Sequence, residues 1–301
     1  MSTEPAVRAK SVESVTELVG GTPLVALQHI GADEGPPIYL KMENLNPSGS
    51  MRDRYISEIL GRAVAAGMLV EGDTVALAGL DDSAVAAAAL AGSWGLHTQV
   101  FAPKGQGRRL EKLTRRFGAS ITRTASEGGL TQSVQEAAAW SREKAERMYV
   151  DGYRRKAVRD AYSDIANEML EALEGQELGA FITSVSTGGT FRHVARELRE
   201  TRPNLHVGGA VLGNLELPDF KEHRFNSLER FSMEEAFQWR DRLARQEGIL
   251  VGPKGAAGVA LAVALQQELP DHQAIVSLNP DSGQRYLGWE EQVAFHGAPD
   301  I

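Results

Sequence analysis

Asn46-Pro47-Ser48-Gly49-Ser50-Met51-Arg52-Asp53-Arg54 is the stretch on which the reading of this chain turns. A short β-rich run, Ile38–Glu43, leads into it, and Pro47 and Gly49 turn the backbone. An amphipathic pattern, Arg54–Met68, leaves it as a helix. Arg52 stands where that helix begins. Taken alone it is one more solvated cation near a helix start. Its chemistry is narrow: a guanidinium with a pKa above roughly 12 stays protonated, so it neither attacks a carbonyl nor acts as a base.

Working outward, short β-rich runs alternate with longer helical patterns. The strands expected are Ile38–Glu43, Thr74–Gly79, Thr98–Ala102, Ser120–Arg123, Met148–Asp151, Ala180–Ser184, Val207–Leu212 and Ala274–Asn279. Between them lie helical patterns at Arg54–Met68, Gly107–Phe117, Ser133–Arg147, Val158–Glu174, Phe191–Arg199, Ser232–Gln246 and Gly255–Glu268, with an Ala-rich helix at Ala84–Ala91. This alternation predicts an α/β fold of βαβ units with parallel sheets and ligand sites at the carboxyl ends of the strands.

The 301 residues suggest about two domains, and 42% hydrophobic with 24% charged residues is the composition of a soluble globular protein. A formal net charge of -8 argues against a nucleic-acid or anionic-membrane surface, both of which attract basic patches. The basic cluster Arg108, Arg109, Lys112, Arg115 and Arg116 has helical spacing around Leu110 and Leu113, the pattern of a solvated helix face. With no cysteine, disulfides, thiolate metal sites and cysteine nucleophiles drop out. Met1–Lys10 has no apolar signal region, and a cytoplasmic protein is expected. The seven histidines show no HExxH or paired spacing, and no carboxylate pattern signals a metal site.

The opening stretch resembles the Asn-Pro-x-Gly-Ser-x-Lys-Asp-Arg signature of the cysteine synthase (O-acetylserine sulfhydrylase) family. Other blocks are similar too: Gly20-Gly21-Thr22-Pro23-Leu24-Val25, Lys41-Met42-Glu43, Arg245–Leu250, Asp281–Leu287 and the tail His296–Ile301, the last being similar to the cysteine synthase B branch. The resemblance implies PLP fold type II (tryptophan synthase β-like), with two parallel-sheet domains. Residues 1–37 and 150–301 would form the large domain and 38–149 the small inserted one, in a homodimer. In that family the signature lysine holds pyridoxal phosphate (PLP) as a Schiff base. Here Arg52 replaces it.

Other ligand-facing segments depart from the family as well. Ser186-Thr187-Gly188-Gly189-Thr190 resembles the family's phosphate loop, and as a strand-to-helix turn it can aim backbone N–H groups and hydroxyls at an anion. By itself the same turn reads equally as a capped helix start. The family's substrate-carboxylate loop is matched by Gly79-Leu80-Asp81-Asp82-Ser83-Ala84, with Asp82 at the asparagine position. Two carboxylates facing a bound carboxylate about 4 Å away would repel it by several kcal/mol at an effective dielectric near 20. Asp81, Asp82 and Ser83 also make a good helix N-terminus. Gly152 stands at a family glutamine and is followed by the basic run Arg154, Arg155 and Lys156, while Pro253 and Lys254 replace serines near the cofactor ring nitrogen. Lys254 maps to the ring edge opposite the aldehyde, so it is expected to be solvated or salt-bridged instead of serving as a relocated Schiff-base lysine. The segment Gly213–Phe231 is shorter than the family's loop at the cofactor entrance.

These departures lead to an expectation of lost PLP-dependent β-replacement and a binding or regulatory role. No covalent cofactor is expected; noncovalent PLP, or phosphate or sulfate in the Ser186–Thr190 loop, stays open. A second possibility is different chemistry in the old cleft, with Arg52 clamping an anionic or phosphorylated small molecule and Asp82 as a general base. A third makes the chain a partner of an active paralogue or of serine acetyltransferase, since family active sites accept that enzyme's C-terminal isoleucine and this chain ends in Asp300-Ile301.

Overall fold

The computed structural model describes residues 11–31, 35–152, 156–186, 188–215 and 225–288. In chain order the strands and helices are β1 (Leu24–Ala26), β2 (Ile38–Met42), α1 (Arg52–Ala65), β3 (Thr74–Ala78), α2 (Asp82–Ala91), β4 (His97–Pro103), α3 (Arg108–Arg116), β5 (Ser120–Thr124), α4 (Gly129–Arg142), β6 (Arg147–Tyr149), α5 (Lys156–Ala172), β7 (Glu177–Ser184), α6 (Arg196–Thr201), β8 (His206–Leu212), β9 (Ser227–Phe231), α7 (Met233–Glu247), α8 (Pro253–Leu265) and β10 (Gln273–Asn279). Short 3-10 turns occur between them, including Gly283–Tyr286 after β10. None of the helices among the described residues is long and apolar enough to cross a membrane.

Two sheets carry the α/β fold. The larger has the order β1-β2-β10-β7-β8-β9, parallel except for β1, and the smaller has the order β5-β4-β3-β6, parallel throughout. Helices cover both faces of each, as buried parallel strands require. One face of the larger sheet packs α1 and α5 in a core that includes Ile56, Tyr162, Ile165 and Phe181. The other packs α7 and α8 through Leu243, Val259, Leu261 and Ile275. In α8, Gly255 and Gly258 let the helix backbone approach β10: a Cβ at either would lie 2.3 Å from Asn279 Oδ1 or 2.7 Å from Ser277 Oγ.

The insert expected to begin at Ile38 needs correcting at that end. Strand β2 lies inside the larger sheet, antiparallel to β1 with Leu24 opposite Lys41, and parallel to β10 with Ile275 opposite Ile38. The smaller sheet begins at β3. Strands β1 and β9 were not expected from the sequence, and the helix expected at Phe191–Arg199 opens as a π-helical turn, Phe191–Ala195, before α6.

The chain order places a cleft at the carboxyl ends of β2, β3, β7 and β10. From these ends run the Asn46–Met51 turn, the Gly79–Asp81 turn, the Ser186–Thr190 turn and the Pro280–Asp281 segment. Open α/β sheets build ligand sites in such a place.

Candidate functional site

The cleft narrows to a cavity of about 30 Å³ lined by Ser50, Met51, Arg52, Asp82, Ser184, Ser186, Thr190, Lys254, Pro280 and Asp281. Of the site residues named from sequence, Arg52, Asp82, Lys254, Ser186 and Thr190 all line it. Thr187, Arg154, Arg155 and the Asp300-Ile301 tail lie outside the described residues, as does part of Gly213–Phe231.

Arg52 is the first residue of α1, where Ser50 Oγ accepts its backbone N–H at 3.3 Å. Its guanidinium reaches across to α5 and donates to the Tyr162 hydroxyl at 2.7 Å, and it lies 5.9 Å from the Tyr55 ring centre. Tyr162 is buried, with its ring edge-on to Tyr55 at 6.1 Å. Burial raises the Tyr162 hydroxyl pKa despite the nearby Arg52 charge, which keeps the phenol neutral as an acceptor.

The two acidic residues before α2 divide their tasks. Asp81 is exposed and caps the helix, accepting from Ser83 N at 2.9 Å and Ala84 N at 3.3 Å. The expectation that both carboxylates face the cleft is therefore corrected to Asp82 alone. Asp82 pairs with Arg285 from the turn after β10, and Arg285 also donates to the Ser48 carbonyl. Gly49, at φ +88°, makes room for it, since a Cβ there would sit 3.1 Å from Arg285 Nη2. Burial pushes Asp82 up, but Arg285, Arg109, Lys254 and Arg52 outweigh it and hold the carboxyl below its usual range.

Asp281 behaves oppositely. It is buried, and desolvation together with the Asp82 charge pushes it up to about 6. Its Oδ2 accepts from the Tyr286 hydroxyl at 2.7 Å, whereas Oδ1 has no hydrogen-bond partner among the described residues and abuts the Gly252 backbone. Lys254, half-buried in the first turn of α8, acts electrostatically on both carboxylates.

At the Ser186–Thr190 turn, Gly188 takes φ +74° and the helix starts at Gly189. Thr190 Oγ1 points to Met51 Sδ at 3.7 Å. At the family's glutamine position, a Cβ on Gly152 would lie 2.9 Å from the Tyr55 hydroxyl, so Tyr55 fills the space a side chain would need.

The family of pyridoxal-phosphate dependent enzymes matches residues 15–281. The chain belongs to that family. It is 28% identical to a probable cysteine synthase of Bacillus subtilis, over 92% of this chain and 97% of that protein. It is 27% identical to the O-ureido-L-serine synthase of Streptomyces lavendulae, over 91% and 90%. A crystal structure of an O-ureido-L-serine synthase superposes with a TM-score of 0.86 at 24% identity, covering 96% of this chain and 98% of that one, which establishes the shared fold.

The fit of the family's cofactor can be tested on these residues. Position 52 offers a guanidinium engaged with Tyr162 where an amine is needed, and among the described residues Lys254 is the only lysine on the cavity wall. With a guanidinium at position 52, these residues do not fit PLP held there as a Schiff base. The lining sets two cations, Arg52 and Lys254, and the hydroxyls of Ser50, Ser184, Ser186 and Thr190 beside the carboxylates of Asp82 and Asp281.

Tyr162, Tyr55, Asp281 and Arg285 were not singled out from sequence, and Arg109, expected on a solvated helix face, instead lies 4.1 Å from the Tyr286 ring centre. Arg285 and Asp281 do lie in the late block Asp281–Leu287, whose resemblance was the available signal. The tyrosines carry no local signal, because only the packing of α1 on α5 brings them to Arg52.

Proposed function

We propose that this chain has lost PLP-dependent β-replacement and serves as a non-catalytic, binding or regulatory member of its family. The observation that carries this reading is the Arg52–Tyr162 hydrogen bond at 2.7 Å. The signature position holds a group that cannot form a Schiff base, and its side chain is engaged by a tyrosine of the adjoining helix α5. The Asp82–Arg285 pair supports the same reading, since the position matching the family's carboxylate-binding asparagine carries an anion.

Reconstitution of the purified chain with PLP tests it. No absorbance band at roughly 400–430 nm is expected, no borohydride-fixed label on a lysine, and no cysteine from O-acetylserine and sulfide. A lysine-bound label would overturn the reading.

A second reading is favoured by the cavity lining, where two cations and four hydroxyls stand beside the carboxylates Asp82 and Asp281: binding of a small anionic or phosphorylated molecule without covalent chemistry. Thermal-shift screening of phosphorylated metabolites addresses it, with dependence on Thr190 as the control. A homodimer is part of the same proposal, and light scattering on the intact chain measures it.

A further inference from the structure

The turn Gly283–Tyr286 belongs to the larger sheet's side of the cleft. It follows β10, and the Tyr286 side chain is 2% exposed within the core shared by α7, α8 and β10. Two residues of the smaller sheet's unit, Asp82 and Arg109, reach this turn, and a further contact comes from the larger sheet's own side. Asp82, at the start of α2, pairs with Arg285. Arg109, in α3, lies over the Tyr286 ring at 4.1 Å from its centre and donates to the Arg285 carbonyl at 3.4 Å. The Ser48 carbonyl, from the turn before α1, accepts from Arg285. Helix α2 packs on the smaller sheet through Leu80, Ala84 and Val100, and α3 packs on α2.

The ion pair is shielded, with the Arg285 side chain 6% and the Asp82 side chain 17% exposed. A shielded pair is screened far less than a surface one, and breaking it leaves Asp82 beside Asp281 with one compensating cation fewer. Arg109 stacked on a buried ring adds a cation–π contact on the same seam. Nothing in these contacts requires a bound molecule.

We propose that Asp82, Arg285, Arg109 and Tyr286 form a clasp that holds the smaller sheet's unit closed on the larger one and restricts access to the cleft until the clasp opens. The proposal deepens the non-catalytic reading by saying how the same cleft is regulated. It rests on different residues from the Arg52–Tyr162 contact, so the two can fail separately.

The absence of native cysteine makes site-specific spin labelling clean. Labels at Arg116→Cys on α3 and Glu234→Cys on α7, both exposed positions, report the separation of the two units. In the otherwise unaltered chain a single narrow distance distribution is expected. Arg285→Gln is expected to add a second, longer population, as are Asp82→Asn and Arg109→Gln. Should Arg285→Gln not fold, the other two decide, because neither removes the Ser48 contact. An unchanged distribution in the folded variants overturns the clasp. Failure of the PLP-free reading would instead appear as a lysine-bound label in the unaltered chain, whatever the distances show.

Discussion

The Arg52 guanidinium and the Tyr162 hydroxyl, 110 positions apart in the chain, meet at 2.7 Å where α1 packs on α5. The contact turns a substituted residue into a structural one: Arg52 ties the start of α1 to the middle of α5. It also sets the expectation for reversal. Arg52→Lys restores an amine but leaves Asp82 paired with Arg285, Tyr55 filling the space beside Gly152, and Pro253-Lys254 at the start of α8. The variant is expected to make no cysteine from O-acetylserine and sulfide when PLP is supplied. Strong activity from this single change would show that the other departures matter little.

Tyr162→Phe removes the acceptor and nothing else from the Arg52 contact. A partly buried guanidinium left one partner short costs about 1–3 kcal/mol. Urea denaturation of Tyr162→Phe, Arg52→Met and the double variant measures the link. The double variant is expected to be less destabilised than the sum of the singles, by about 0.5–3 kcal/mol, since both singles break one interaction.

The fold was legible because period and order carry it. Strands such as Val207–Leu212 and Ala274–Asn279 are apolar runs bounded by turns, and each falls within an observed strand. Two strands escaped. Leu24–Ala26 has only three residues, and Ser227–Phe231 is a half-exposed edge strand carrying Glu229 and Arg230, so neither shows a buried-strand pattern. The site was legible wherever a motif fixed a position, as with Arg52 and Asp82. What those side chains touch was not legible, because Tyr162 and Arg285 reach them only through tertiary packing of distant segments. Local capping was readable, and the Asp81 cap is a case, since it is decided within three residues.

Gly152→Ala offers a test of crowding at the rebuilt wall. The added Cβ would lie 2.9 Å from the Tyr55 hydroxyl and 3.0–3.1 Å from two of its ring carbons, and Tyr55 is buried and held against Tyr162. Overpacking of this kind costs about 1–3 kcal/mol. Thermal denaturation is expected to show that loss, and Tyr55→Phe combined with Gly152→Ala is expected to recover part of it by removing the closest atom. An equal loss with and without the Tyr55 hydroxyl would place the strain elsewhere.

Glu168 provides the pH-dependent test. From α5 its carboxylate accepts from Lys41 Nζ at 2.5 Å and from Arg54 Nη1 and Nη2, each at 2.7 Å, while Arg54 also binds Glu43. Lys41 and Glu43 are wholly buried, so this network joins β2, α1 and α5 behind the cleft. Burial pushes Glu168 up, but the Arg54 and Lys41 bonds and charges overcome it and hold the carboxyl at about 2. An acid whose folded pKa lies below its unfolded value of 4.5 stabilises the fold above that value, and the contribution fades as pH falls from 4.5 through about 2. Glu168→Gln is therefore expected to cost about 3 kcal/mol at pH 7, where buried Lys41 loses its anionic partner. The gap between the variant and the parent is expected to narrow steadily in urea titrations run at pH 5, 4 and 3. A gap that stays constant to pH 3 would mean that Glu168 acts through packing and neutral hydrogen bonds, with its charge contributing little to the fold.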